Sequence, residues 1–168
     1  MSRYTVHAVP PEHFGWIQQR TGCCLTGDFA AIAALDSGGI IKGMVAYCGW
    51  TYTSVQVHFA IDTPAAVRAL VYDNDSPAFR VPFVNAQKRI LIGCVPSQNP
   101  NALKLNRHFG FVEVARIRDG YGDGNDIVLM ELRKEHCRWL SGEARTQRGP
   151  SLPRATSEPE PPRFSEVR

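Results

Sequence analysis

From residue 4 to residue 9, and again from 55 to 61, apolar and polar side chains alternate with the period of a strand that buries one face. In the second run Val55, Val57, Phe59 and Ile61 fall on one side, while Gln56, His58 and Ala60 fall on the other. Two more strand-like stretches, residues 30–35 and 40–52, flank Asp36-Ser37-Gly38-Gly39, a hairpin signal. Pro10-Pro11 followed by Glu12-His13 predicts a turn leading into a helix over residues 12–20. The N-terminal part therefore predicts a meander of antiparallel strands with one early helix.

After Thr63-Pro64 the apolar spacing becomes helical through residues 65–72, and a second helical stretch covers 76–86, where Pro82 kinks or shortens it. Residues 89–95 form an apolar run of strand length. Residues 100–109 follow as a helix with proline in its first turn, and 111–118 as a strand. Residues 126–133 then return along the sheet, paired with 111–118 through the connecting turn 119–125. The succession describes an α/β domain built on a mixed sheet. Beyond Leu140 the pattern stops. Residues 141–168 are rich in Pro, Ser, Arg and Glu, with Leu152, Phe164 and Val167 as the sizeable apolar side chains. Such a segment buries too little surface to offset its ordering entropy. The expected organisation is one domain over 1–140 and a tail over 141–168 that is disordered unless a partner binds it.

Composition narrows the function classes. A chain of 168 residues suits one domain with a proper core. A formal charge of +3, with basic residues scattered among acids, argues against a nucleic-acid partner. No apolar run reaches the length of a transmembrane helix, and the start MSRYTVHAVPPEHF lacks the order of a signal peptide, so no membrane association and a cytosolic protein are expected. Cys23, Cys24, Cys48, Cys94 and Cys137 are odd in number and mostly in apolar surroundings. They read as buried thiols, not as a disulfide framework or a metal hook.

The stretch RILIGCVPSQNPNALKLNRHFGFVEV, residues 89–114, carries the most information. It resembles the acyl-CoA-binding half of the GNAT family of N-acetyltransferases, with Asn99, Ala102, Gly110 and Phe111 at the family's positions. Ala102 would let a thin cofactor arm lie close to the helix, Asn99 would hydrogen-bond its amides, and Gly110 would supply a residue with positive φ after the helix. Further segments, VQVHFAID, FRVPF, DGYGDGNDIVLME and the closing CRWL, are similar to GNAT-type proteins encoded by tailed bacteriophages.

The resemblance implies a fold and a chemistry. The fold is a central, mostly antiparallel sheet with one splayed parallel pair, flanked by helices; the reaction moves an acetyl group from acetyl-CoA to a primary amine of a small molecule or a protein. The splayed strands would be 55–61 and 89–95, holding the acyl-pantetheine arm near Phe59, Ala60 and Ile61, whose backbone amides would polarise the thioester carbonyl. His58 is the candidate base, since its side chain leaves the strand opposite the Val57 and Phe59 stripe. Asp126 and Glu131 stand behind it, Asp126 reading first as a turn residue.

Two departures from the family pattern matter. Where a basic, glycine-rich turn would grip the diphosphate there is Asp62-Thr63-Pro64-Ala65-Ala66-Val67-Arg68. Thr63 and Arg68, with Arg80 or Lys88, are the substitutes. Asn106 stands in place of the family's tyrosine acid, so it becomes a cofactor contact and Tyr121 the candidate acid. These departures leave open that CoA binding has been lost. The alternative is a catalytically silent phage virion or assembly protein whose residues 141–168 contact other phage structural proteins, found in the virion instead of the host cytoplasm. Trp16, Trp50, Trp139, His108, Phe109, Phe79 and Phe83 read as packing, and 133–140 as a charged exit whose apolar end docks on the domain.

Overall fold

The computed structural model describes residues 4–23, 28–73 and 75–141. The expected tail beyond Ser141 lies outside the described residues. Seven strands form one sheet: β1 (Thr5–Ala8), β2 (Ala30–Leu35), β3 (Ile41–Cys48), β4 (Ser54–Ile61), β5 (Ile90–Pro96), β6 (Val112–Ile117) and β7 (Ile127–Arg133). Their order is β1-β2-β3-β4-β5-β7-β6, and all neighbours are antiparallel except β4 and β5. The hairpin at Asp36 forms as expected, with the Asp36 carboxylate accepting from the Gly38 and Ile40 amides. β3 ends at Cys48, short of the run to residue 52, because Gly49 turns the chain at φ 58°. β7 pairs with β6, as the pattern predicts, and also inserts between β6 and β5.

The early helix is α1 (Gly15–Thr21), preceded by a single 3₁₀ turn at Pro11–His13, where one helix over 12–20 was expected. After β4 come α2 (Pro64–Val67), which widens into a π turn at Arg68–Tyr72, and α3 (Pro77–Arg80), which widens likewise at Val81–Asn85. The predicted 76–86 helix is thus two short pieces of different pitch. Pro82 has no N–H to bond the Ala78 carbonyl, and the buried Tyr47 hydroxyl donates to that carbonyl instead, at 2.9 Å. α4 (Pro100–Phe109) has the predicted limits.

The sheet has two unlike faces. On one, Val45, Tyr47, Val55, Leu91, Met130 and Leu132 pack against Leu70, Phe79, Phe83, Leu103 and Phe109 of the helical layer. Burying each large side chain here contributes roughly 1.5–3 kcal/mol. On the other, Ile17 of α1 packs against Ala31, Ala33, Met44, Ala46 and Ala60. α1 lies over β3 and β4.

The closing CRWL segment caps α4. Trp139 Nε1 donates to the Phe109 carbonyl at 2.8 Å, and Arg138 donates to the carbonyl of His108. The Gly110 and Phe111 amides donate to the Arg107 and Asn106 carbonyls, Gly110 holding φ 102°. The last carbonyls of α4 are thereby satisfied. Trp139 also stacks on Tyr72, whose hydroxyl meets His108 Nε2 at 2.6 Å. His108 and Trp139 are thus packing residues.

Candidate active site

The parallel ladder between β4 and β5 has three residue pairs, Ser54 with Ile90, Val55 with Leu91 and Gln56 with Ile92, and then ends. Residues 57–61 stay paired to β3 and residues 93–96 to β7, but not to each other. Two neighbouring strands therefore part in the middle of the sheet. The backbone of Phe59, Ala60 and Ile61 borders this gap from one side and that of Gly93 and Cys94 from the other.

On the helical side, α4 begins beside the gap. The Asn99 side chain caps it, Oδ1 accepting from the Ala102 amide at 3.0 Å. Buried Asn106 donates through Nδ2 to the Ala102 carbonyl at 2.9 Å, and its Oδ1 faces Gly93 so closely that a Cβ there would stand 3.3 Å away. Gly93 is thus what lets a carboxamide sit against β5 where β4 leaves it. Phe59 closes the depth of this side, its ring 5.0 Å from Phe109 and 6.3 Å from Phe79.

On the opposite side lies a patch of neutral titratable groups. Strand alternation puts Gln56 and His58 there, on the face the sequence predicts, with Cys48 of β3 and Cys94 of β5 beside them. Cys48 Sγ is 3.4 Å from His58 Nε2 and 3.9 Å from Gln56 Oε1. The Tyr121 hydroxyl reaches back from the β6–β7 loop to donate to the Cys94 carbonyl at 3.3 Å. Burial pushes His58 below the usual imidazole value. Burial pushes Cys48 up, helped by Cys23, Asp28 and Cys94. It raises Cys94 too, against a hydrogen bond with Gln56, and raises Tyr121 with help from Cys94 and Cys23. At neutral pH the patch holds an uncharged imidazole, protonated thiols and a protonated phenol.

The sequence-predicted residues divide by location. Phe59, Ile61, Asn99, Ala102 and Asn106 meet at the gap from the helical side, and Ala60, His58 and Tyr121 from the other. Thr63 and Arg68 lie at the far end of β4. Thr63 Oγ1 accepts from the Ala66 amide at 3.3 Å and lies 3.4 Å from the Tyr4 hydroxyl, while Arg68 pairs with Asp73 at 3.4 Å. Arg80 pairs with Asp75, and Lys88 donates to the Thr51 carbonyl at 2.7 Å. Asp62 is held in a two-pronged contact by Arg20, at 3.1 Å on each oxygen. Asp126 is a turn residue: it accepts from the Asp119 amide at 3.0 Å, and Glu131 pairs with Arg133 at 2.9 Å. The residues missed are Cys48, Gln56 and Cys94. Gln56 was legible from its parity with His58; the two thiols needed the strand register.

Among the described residues, no group of three or more His, Cys, Asp or Glu side chains is arranged to hold a metal ion, and no helix is long and apolar enough to cross a membrane.

A seven-stranded mixed sheet that parts between its parallel strands, with a capped helix beside the parting, defines a fold class, and comparisons agree. No family model and no curated protein matches the chain. Among solved structures it is similar to the spermidine/spermine N-acetyltransferase SpeG from Vibrio cholerae in complex with manganese ions, at TM-score 0.62 and 16% identity over 79% of this chain and 93% of that one. It is likewise similar to the spermidine N-acetyltransferase from Vibrio cholerae in complex with CoA and spermine, at TM-score 0.60 and 15% identity over 81% of this chain and 98% of that one. The chain has the GNAT acetyltransferase fold.

Proposed function

We propose that this protein is an N-acyltransferase that moves an acetyl group from acetyl-CoA to a primary amine. The observation that carries the proposal is the parting of β4 and β5 after Gln56 and Ile92, with an aligned helix on one side and neutral acid–base groups on the other. The residues at the gap suit a thin amide-bearing arm: Ala102 is small, and Gly93 lets the Asn106 carboxamide sit against β5 where β4 leaves it. The diphosphate end is less well provided. α2 is four residues long, starts with Pro64 and lies next to Asp62, so the grip on phosphate is weak.

Acetyl-CoA, when bound, supplies the thioester carbon that the amine attacks and a thiolate as leaving group. His58, kept neutral by burial, takes the proton of the incoming ammonium. Backbone amides of residues 59–61 that face the gap polarise the acyl carbonyl. Tyr121, kept protonated, returns a proton to sulfur. The N–C bond forms, the C–S bond breaks, and the ammonium nitrogen gives up two protons: one taken by His58 before attack and passed to solvent, the other balancing the proton that Tyr121 delivers to sulfur.

The test is calorimetric titration with CoA and acetyl-CoA, followed by mass spectrometry of amine products. Binding in the micromolar to submillimolar range is expected. No heat at millimolar ligand overturns the enzyme reading and leaves a catalytically silent protein with this fold.

A further inference from the structure

The acceptor class follows from the open face of the sheet, on the reading that the chain is an amine acyltransferase. The face that carries His58, Gln56 and Cys94 continues across β5, β7 and β6. Register places Ile90 and Ile92 of β5, Ile127 and Leu129 of β7, and Val112 and Ile117 of β6 on it. The first four are half-buried, and Val112 and Ile117 are 57% and 48% exposed. α1 covers β3 and β4, and the buried cluster beneath it ends at Ala60. The apolar surface therefore starts at the catalytic patch and runs outward from it.

Among the described residues, charge on this face is sparse. Glu131 is the carboxylate that β5 and β7 contribute, and it is already bound by Arg133. Asp126, at the end of the loop, is shared between the Asp119 amide and Arg116. Asp28 acts on Cys48 and so stands near the patch. A polyamine carries several ammonium groups, each of which loses hydration on binding and needs a carboxylate of its own. This face provides for one ammonium beside extensive apolar surface.

We propose that the acceptor is a primary amine carried on an apolar body, a monoamine and not a polycation, with its body lying along Ile92 and Leu129 and its nitrogen directed to His58. The transfer is as above: nitrogen gains the acetyl carbon, the C–S bond breaks, and of the two protons that the ammonium loses one leaves through His58 to solvent and one is balanced by the thiol. Discrimination comes from the few carboxylates among the described residues of this face as much as from the apolar surface.

The experiment uses the full chain and the amines propylamine, butylamine, hexylamine and spermidine, with the tripeptide Met-Leu-Phe as a polypeptide source of the same chemistry. Binding is read by calorimetry with and without CoA, and transfer by mass spectrometry. The expected result is a gain of about three- to fourfold in affinity and in kcat/KM per added methylene, as burial of each CH₂ requires, with spermidine below hexylamine. Preference for the tripeptide over hexylamine assigns the apolar body to a polypeptide; the reverse assigns a small molecule, and both support the proposal. Spermidine above hexylamine, or no dependence on chain length, overturns it while leaving the transferase reading intact. Chain-length-dependent binding without transfer supports the acceptor face and rejects the transferase. No binding and no transfer reject both. Leu129→Glu is expected to lower hexylamine affinity about tenfold, a loss of that order following from removing apolar contact, and to raise that for spermidine. Should it not fold, Ile117→Glu at the exposed end of the face is expected to move the same preference about threefold.

Discussion

Two strand-to-helix junctions flank the parting in the sheet, and they are built differently. At β5 to α4, Asn99 caps a ten-residue helix that runs to Phe109. Its end is closed by Gly110 and by Trp139, donating to the Phe109 carbonyl at 2.8 Å. At β4 to α2, Thr63 caps a four-residue helix that opens into a π turn, and Asp62 is spent on Arg20. A long, fully capped helix concentrates its amide dipoles at one end; a single turn does not. On the proposed function the first junction would hold a ligand arm, whereas the second holds the sheet to its helical layer. Gly43 shows the second purpose, since a Cβ there would stand 2.9 Å from the Ala66 Cβ.

The largest effect is expected where the two junctions share a core. Phe109 is fully buried against Phe59, Phe79 and Trp139, so Phe109→Ala should cost about 3–5 kcal/mol in urea unfolding. Thr63→Ala should cost only about 1 kcal/mol, the value of a helix cap. A loss at Thr63 as large as that at Phe109 would erase the contrast drawn between the junctions.

Next in size is the chemistry between them. His58→Gln should lower kcat by about 10²-fold or more, with the protein still folded by circular dichroism. Because burial lowers the His58 value, the acid limb of kcat/KM should lie below the ordinary imidazole pKa of about 6.5. The sign for stability follows. The unfolded chain binds this proton more readily, so the contribution is whole above about 6.5 and falls away as pH drops toward the folded value. His58→Gln should remove that dependence from the melting curve. An unchanged profile would make His58 a packing residue.

A smaller effect tests the arm side. Ala102→Phe should weaken CoA binding by about tenfold, as a ring fills space that an arm needs, with unfolding midpoint nearly unchanged because Ala102 is half-buried. Smallest is the phosphate side. Asp62→Asn should strengthen CoA binding about two- to fivefold, more at low salt, because it removes a negative charge near the diphosphate. It should cost no more than about 1 kcal/mol in stability, since the Arg20 pair is partly exposed. If affinity falls instead, the diphosphate lies elsewhere.

Much of this was legible because it is local. The limits of α4 follow from Asn99, Pro100 and Gly110, each of which acts within a turn of its own position. The side on which His58 leaves β4 follows from alternation alone. The π turns were not legible. The second of them goes with the Tyr47 hydroxyl taking the Ala78 carbonyl, a contact between residues 31 positions apart. Cys48 and Cys94 read as ordinary buried thiols, and only strand register sets them beside His58 and Tyr121.

What the chain determines by itself is the menu of elements, the caps of α4, the hairpin at Asp36 and the face on which each strand residue stands, because hydrogen bonding and side-chain period are short-range constraints. What only the tertiary structure decides is where β4 and β5 stop pairing, where β7 inserts, and which neutral groups then meet across the gap. Those outcomes depend on how the helical layer on one face and α1 on the other divide the packing, and no stretch of sequence holds both sides of that division.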